Sequence, residues 1–228
     1  MDYSAGELSS ALPSGISGVL PVYKPRDMVS KDVSRWLTRR FGKSFKIGHV
    51  GTLDPMAEGV LPILIGQATR VQDYLLEQQK TYVCKFNMGV ETDTLDATGC
   101  VVRKHSPLSI SQAQVEALIP SFCGEISQIP PLYSAVKLAG RPLYSYARSA
   151  TPLASDALEK KIRKVQIYTL DLLSFNKTNN QLEISMRVTC SKGTYIRSLG
   201  RDFAQALGTY ATLIELVRVQ CSGFTLTD

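Results

Sequence analysis

The sequence predicts an α+β domain: a mixed, largely antiparallel central sheet flanked by helices and loops. Three observations lead there. Runs over 80–90, 161–173 and 181–190 read as strands, the first and last with side chains alternating between two faces. Between them lie stretches of helical apolar spacing, after Ser30, after Ser109 and over 194–207. The two kinds do not follow a strict βαβ rhythm, which argues against an all-parallel sheet. With 228 residues, 44% of them apolar and 20% charged, the chain has ample core for such a domain.

The elements follow in order. Residues 1–17 hold Asp2 and Glu7, no lysine or arginine and no apolar run, so they read as a disordered leader and not as a signal peptide. Residues 18–23 form a short strand that runs into Lys24-Pro25. Ser30 is placed to cap a helix whose apolar stripe is Val33, Trp36, Leu37 and Phe41. Lys31, Arg35, Arg39 and Arg40 fall largely off that stripe, on a face that is either merely solvated or turned to phosphates. A helix is expected over about 67–78, then the strand 80–90 with Tyr82, Cys84, Phe86 and Met88 on one face. Thr98-Gly99 marks a turn, and Ser109 with Gln112 forms a capping box ahead of Val115, Leu118, Ile119 and Phe122. Residues 124–158 differ in character. Their prolines and glycines, with Tyr133, Tyr144, Tyr146, Lys137, Arg141 and Arg148, read as a functional surface loop with a short helix near 143–149. The helix over 194–207 buries Ile196, Leu199 and Phe203, and a last strand spans about 212–220.

Composition narrows the chemistry. The net charge of +6 favours a nucleic-acid partner without requiring one. Five scattered cysteines form no C-x-x-C pair and only two histidines exist, so zinc-ligand spacing is absent and reduced cytosolic thiols are expected. No apolar stretch approaches the length of a membrane span.

The most informative segment is Gly48-His49-Val50-Gly51-Thr52-Leu53-Asp54-Pro55-Met56-Ala57-Glu58-Gly59. Three glycines and a proline surround one carboxylate. Pro55 fixes its own φ and pushes Asp54 toward extended geometry, while the glycines allow close backbone approach. Such scaffolding suits an acid that other molecules must reach.

This segment resembles the G-H-x-G-T-L-D-P signature of the TruB-type tRNA pseudouridine synthases. Four further segments match in the family's order: Lys24-Pro25, Lys80-Thr81-Tyr82, the run from Pro130 to Lys137, and Lys192-Gly193-Thr194-Tyr195-Ile196-Arg197. One departure is Val50, where many relatives carry a hydroxyl residue. The resemblance covers about 18–220 and implies the pseudouridine synthase fold. It further implies a catalytic domain over 18–228 with an RNA-binding insertion at about 124–158, and no C-terminal RNA-binding (PUA) domain after it. It implies isomerisation of uridine 55 in the T arm of tRNA, on a base flipped out of the stack, by a cytoplasmic monomer with no cofactor, no metal and no membrane. By the same resemblance Asp54 is the nucleophile, Arg197 its cation, and Tyr82 the residue that stacks on the base and takes up a proton. His49 fills the gap in the RNA stack, Tyr195 and Leu216 line the uridine pocket, and Lys24, Gly51 and Thr52 shape the site. Two rivals remain: an RNA-binding or RNA-folding module without catalysis, and a hydrolase using Asp54. The latter calls for metal-binding carboxylates, of which the signature loop offers only Glu58.

Overall fold

The computed structural model describes residues 15–42, 44–106, 109–147, 157–158, 160–179 and 181–227. Most of the expected leader, and Arg148 and Pro152 of the loop segment, lie outside the described residues.

The chain begins with strand β1 (Gly18–Lys24), helix α1 (Ser30–Phe41), and strands β2 (Ile47–His49) and β3 (Glu58–Ile65). A 3-10 turn (Gly66–Val71) leads into α2 (Gln72–Glu77) and β4 (Lys80–Met88). Next come β5 (Val90–Thr92), β6 (Val101–Lys104), α3 (Gln112–Leu118) and β7 (Gly124–Gln128). The segment after β7 holds a two-stranded hairpin, β8 (Lys137–Leu138) and β9 (Arg141–Pro142), and α4 (Leu143–Ala147). The chain continues with β10 (Arg163–Lys177), β11 (Leu182–Cys190), α5 (Ile196–Ala206), β12 (Ala211–Cys221) and β13 (Phe224–Thr225).

Seven of these strands order as β1-β3-β12-β4-β11-β10-β7, with β2 beside β3 and β13 beside β12. Every pairing in this sheet is antiparallel except β12 with β3. The α+β reading therefore holds, and the parallel pair has a reason. Strand β12 enters the sheet after α5 has crossed from β11, and it fills the gap between β3 and β4.

The alternation in β4 and β11 buries Cys84, Phe86, Met88, Ile184, Met186 and Val188. Leu199 and Phe203 of α5 and Val115 of α3 cover that face. Burial of each large apolar side chain contributes about 1.5–3 kcal/mol, so this face fixes α5, and with it the start of α5, against the sheet. A second cluster, Val33 and Leu37 of α1 with Leu61, Ile63 and Ile65 of β3, holds α1 beside the signature segment.

Several expectations change. Trp36 does not join the apolar stripe of α1; it is 60% exposed, because Val33 and Leu37 sit four apart and complete the buried face without it. Ser30 does not cap α1, whose N-cap is Val29; its hydroxyl is used elsewhere. The capping box lies two residues later, at Ser111 and Gln114. The expected helix over 67–78 is a 3-10 turn followed by one and a half turns of α-helix. Strands β3 and β7 were not foreseen. The β3 run Glu-Gly-Val-Leu-Pro-Ile-Leu-Ile is buried on both faces, so it shows no alternation, and it contains a proline.

Candidate active site

The signature loop is tied down from both sides. Val50 N–H donates to the Pro62 carbonyl at 2.9 Å, and Ala57 N–H closes a turn onto the Asp54 carbonyl at 3.0 Å. The Ser30 hydroxyl accepts from Leu53 N–H and donates to the Leu53 carbonyl, both at 2.9 Å. One buried side chain thus satisfies both backbone groups of the residue before Asp54. Lys24, fully buried, donates to the carbonyls of Met28 at 2.7 Å, Pro25 at 2.9 Å and Pro55 at 3.3 Å. Its amine is spent on the backbone around Asp54. Burial holds its pKa below the usual lysine value, against the attraction of Asp27, Asp54 and Glu58.

Two glycines in the loop have positive φ and no room for a side chain. At Gly59 (φ +111°) a Cβ would stand 2.2 Å from the Arg218 carbonyl, where β12 pairs with β3. At Gly51 (φ +67°) it would stand 3.0 Å from Arg218 Nη1. The backbone clash makes glycine obligatory at position 59, while at position 51 the positive φ and the close Arg218 side chain favour it.

Asp54 meets its cation. Arg197, at the start of α5, places Nη2 2.8 Å from Asp54 Oδ2. The Arg197 side chain is only 5% exposed, whereas that of Asp54 is 40% exposed and faces outward. Arg197 also donates from Nη1 to the Thr94 carbonyl and from Nη2 to the Tyr133 carbonyl, both at 3.0 Å. A second carboxylate, Asp96, stands 3.5 Å from Nη1 through its Oδ2. The other oxygen of Asp96 accepts from the hydroxyls of Thr98 at 2.6 Å and Thr94 at 2.8 Å and from Thr98 N–H at 3.0 Å. Arg197 is thereby aimed at Asp54 by a frame of fixed acceptors. Burial pushes the Asp54 carboxyl above its ordinary value; Arg197 pulls it down, and Asp96 pushes it up again.

The remaining site residues fall into three places. His49 is held at both ring nitrogens, Nδ1 by the Ser34 hydroxyl and Nε2 by the Thr52 hydroxyl, each at 3.1 Å. Burial, helped by the charge of Arg218, lowers the His49 pKa and favours the neutral ring. Tyr82 and Leu216 are buried in the main core with Leu53 and Met56, the residues flanking Asp54. Tyr195 stands directly before α5. Its backbone N–H is bonded by Gln128 Oε1 at 3.0 Å, and its ring lies 5.9 Å from the Arg163 guanidinium. Beside the loop, α1 and α2 wall a cleft of about 680 Å³ lined by Lys31, Arg35, Arg39, His49, Gly51 and Thr52, among others.

Residues 39–196 match the model of the TruB family pseudouridylate synthases, N-terminal domain. The chain is 41% identical over 213 residues to the tRNA pseudouridine synthase B of Clostridium tetani (strain Massachusetts / E88), covering 93% of this chain and 70% of that protein. This chain belongs to the TruB family. Another relative, the tRNA pseudouridine synthase B of Azoarcus sp. (strain BH72), is 44% identical over 209 residues, which are 92% of this chain and 66% of that one. Among solved structures, a Cbf5-Nop10-Gar1 complex matches at 30% identity with a TM-score of 0.63, over 90% of this chain and 48% of the other. An H/ACA RNP bound to a substrate RNA containing 2'-deoxyuridine matches at 26% identity and a TM-score of 0.63, over 91% and 48%. The chain thus spans about half the length of the solved chains it matches.

Within this TruB-family site, sequence reasoning missed three residues. Asp96 sits in Thr92-Asp93-Thr94-Leu95-Asp96-Ala97-Thr98-Gly99, which reads as a polar turn. The signal was available: an aspartate with hydroxyls two residues to either side has its own local donors, so one oxygen is left for a cation. Ser30 has the sequence position of a helix cap, and Arg218 that of an ordinary strand residue.

Proposed function

We propose that this chain converts uridine to pseudouridine in tRNA, acting on position 55 of the T arm, with Asp54 as the nucleophile. The observation that carries the reading is the Asp54–Arg197 contact at 2.8 Å within the signature loop of a TruB-family chain. The reaction breaks the N1–C1′ bond and makes a C5–C1′ bond. The C5 hydrogen leaves as a proton and N1 gains one, so atoms and oxidation level are unchanged. An ionised carboxylate and a proton acceptor suffice. Asp54 supplies the first, fixed by its turn and by Arg197 and open on one side.

The target base of a T arm lies inside folded RNA and must be extruded to reach Asp54. Supporting that route, His49 and Thr52 line the cleft beside the loop, locked to each other, where a residue can replace the displaced base. Lys31, Arg35 and Arg39 on the same cleft supply phosphate contacts. Tyr133, Tyr144 and Tyr146 of the segment after β7 extend the RNA-binding surface; the Tyr146 hydroxyl donates to the Leu138 carbonyl at 2.9 Å and that of Tyr133 reaches Asp93 Oδ2 at 3.5 Å. We read the working unit as a cytoplasmic monomer. None of its described helices is long and apolar enough to cross a membrane.

The test is pseudouridine formation on a T-arm stem-loop, read by chemical tagging of the product. Asp54→Asn keeps the shape and removes the charge. It is expected to abolish product while RNA affinity stays within about tenfold, or about 1.4 kcal/mol. Wild-type turnover by a contamination-free Asp54→Asn preparation would overturn the nucleophile assignment. RNA binding with no product from the wild-type chain would favour a non-catalytic RNA-binding role.

A further inference from the structure

Arg218 is fully buried and belongs to no ion pair among the described residues. Its Nε donates to the Val60 carbonyl at 2.8 Å. Nη1 and Nη2 are buried and complete no hydrogen bond. Leaving two guanidinium donors dry and unpartnered is costly, and orphaned groups of this kind concentrate at functional sites. The register of β12 on β4 sets Arg218 opposite Tyr82. Cross-strand partners project to one face of a sheet, so the guanidinium and the phenol are neighbours. The same guanidinium abuts Gly51, three residues before Asp54. It therefore lies between the backbone that carries the carboxylate and the side chain assigned the proton.

We propose that Arg218 is the positioning residue for Tyr82: its guanidinium holds the phenol oxygen and stabilises negative charge there while that oxygen takes the C5 proton of the rearranged uracil. The inference rests on the proposed isomerisation. After the C5–C1′ bond has formed, C5 carries both the sugar and its hydrogen, and N1 is doubly bonded to C6. The Tyr82 oxygen takes the C5 hydrogen as a proton. The electrons of the C5–H bond form the C5=C6 double bond, and the pair displaced from N1=C6 rests on N1, which receives through water the proton that the Tyr82 phenol gives up. A phenol can accept that proton only as phenolate, so Tyr82 first gives its own proton through water to N1, and a cation that stabilises the phenolate makes that ionisation easier.

The surroundings make a cation necessary. Burial pushes the Tyr82 phenol up to about 12. The thiols of Cys190 on β11 and Cys221 on β12 push in the same direction, and the charge of Arg218 is what pulls it down. Lys80, two residues away on β4, does not substitute. Its amine is committed to the Leu76 and Gln78 carbonyls, both at 2.8 Å. Asp54 has Arg197; Tyr82 has Arg218.

The experiment uses single-turnover reactions on a T-arm stem-loop carrying ordinary or 5-deuterated uridine at the target. Arg218→Met is expected to slow product formation about a hundredfold, the scale of a lost acid–base contribution. Stem-loop affinity should stay within about threefold. Because the C5–H step becomes limiting, the deuterium effect should exceed that of the wild type. Placing 3-fluorotyrosine at position 82, whose phenol ionises more readily, should recover part of the loss. Arg218→Lys, which keeps the charge without the fork, should show the same pattern more weakly and serves if Arg218→Met does not fold. A slowed variant with the wild-type deuterium effect and no recovery by fluorotyrosine would make Arg218 a structural residue and overturn the proposal. Absence of product from the wild-type chain would instead overturn the isomerase reading itself.

Discussion

Two buried arginines touch the loop that carries Asp54, and they are compensated in opposite ways. Arg197 lies in a frame of two carboxylates and two carbonyls. Arg218 has one carbonyl and otherwise dry terminal nitrogens beside a phenol. On the proposed reaction, the first arrangement neutralises a carboxylate that must exist as an anion before substrate arrives. The second leaves a charge unspent, available on our proposal to an oxygen that becomes negative only during the reaction. Full compensation of Arg218 by a carboxylate would tie the phenol's partner up in the resting enzyme. The difference separates a cation that fixes a ground state from one held for a transient charge.

The largest effect expected from breaking this contrast is at Arg197. Arg197→Met leaves Asp54 and Asp96 without their shared cation. Loss of one partner of a buried pair typically costs about 3–5 kcal/mol in stability. The lower end applies here, because Asp54 is 40% exposed and water takes up part of the loss. Product formation should fall by several orders of magnitude, with RNA binding changed far less. Arg197→Lys should recover only part, since lysine cannot serve Asp54, Asp96 and the two carbonyls together. Urea unfolding and single-turnover kinetics on the same variants decide it. Wild-type kinetics in Arg197→Met would leave Arg197 a structural residue only.

Next in size is a pair of opposite pH shifts. With Asp54 as the proposed nucleophile, turnover requires its ionised form, so the rate should rise with pH through the Asp54 pKa, which burial and Asp96 hold above the ordinary carboxylate value. Arg197 lowers that pKa and Asp96 raises it. The acid limb of the rate profile should therefore move up in Arg197→Met and down in Asp96→Asn. Stability carries the reverse sign. A carboxyl whose pKa is raised by folding favours the folded state while protonated, and that contribution is lost as pH rises through the raised value. Asp54→Asn should accordingly be at least as stable as wild type at neutral pH, by urea midpoint. An acid limb that moves the same way in Arg197→Met and Asp96→Asn would break the assignment of one site to both groups.

The sheet and the main core were legible because β4, β11 and α5 each keep one period and bury one face. Strand β3 was not, because burial on both faces erases the period and Pro62 breaks the pattern. The site was legible in its loop and illegible in its contacts. Asp54 and Arg197 are joined only by the packing of α5, and nothing in either local segment points to the other; the family resemblance supplied that link. Ser30 has the residue type and position of a helix cap, yet its hydroxyl bonds Leu53 across the fold. Arg218 sits in an apolar strand pattern, where a lone arginine reads as an outward-facing position. Its burial follows from β12 being covered on that face by the signature loop.

The smallest effect concerns exposed arginines. On charge pattern alone Arg39 and Arg40 looked equivalent, both exposed near the end of α1. The structure separates them: Arg39 lines the cleft beside His49 and Thr52, together with Lys31 and Arg35, and Arg40 does not. An exposed cation contributes to RNA binding by releasing counterions from a phosphate, so its effect scales with salt instead of with local geometry. Arg39→Ala should weaken stem-loop binding at low salt and reduce the slope of log affinity against log salt by about 0.7–0.9, one phosphate contact. Arg40→Ala should leave the slope within error of wild type. Neither should alter the acid limb, since both side chains stand in screened solvent away from Asp54. Binding titrations across a salt series check this directly. Equal slope changes in the two variants would mean that the RNA runs over the outer face of α1 and not through the cleft. A change in the acid limb would mean that even exposed cations of α1 act on Asp54, removing the distinction between charges that hold RNA and charges that tune the reacting groups.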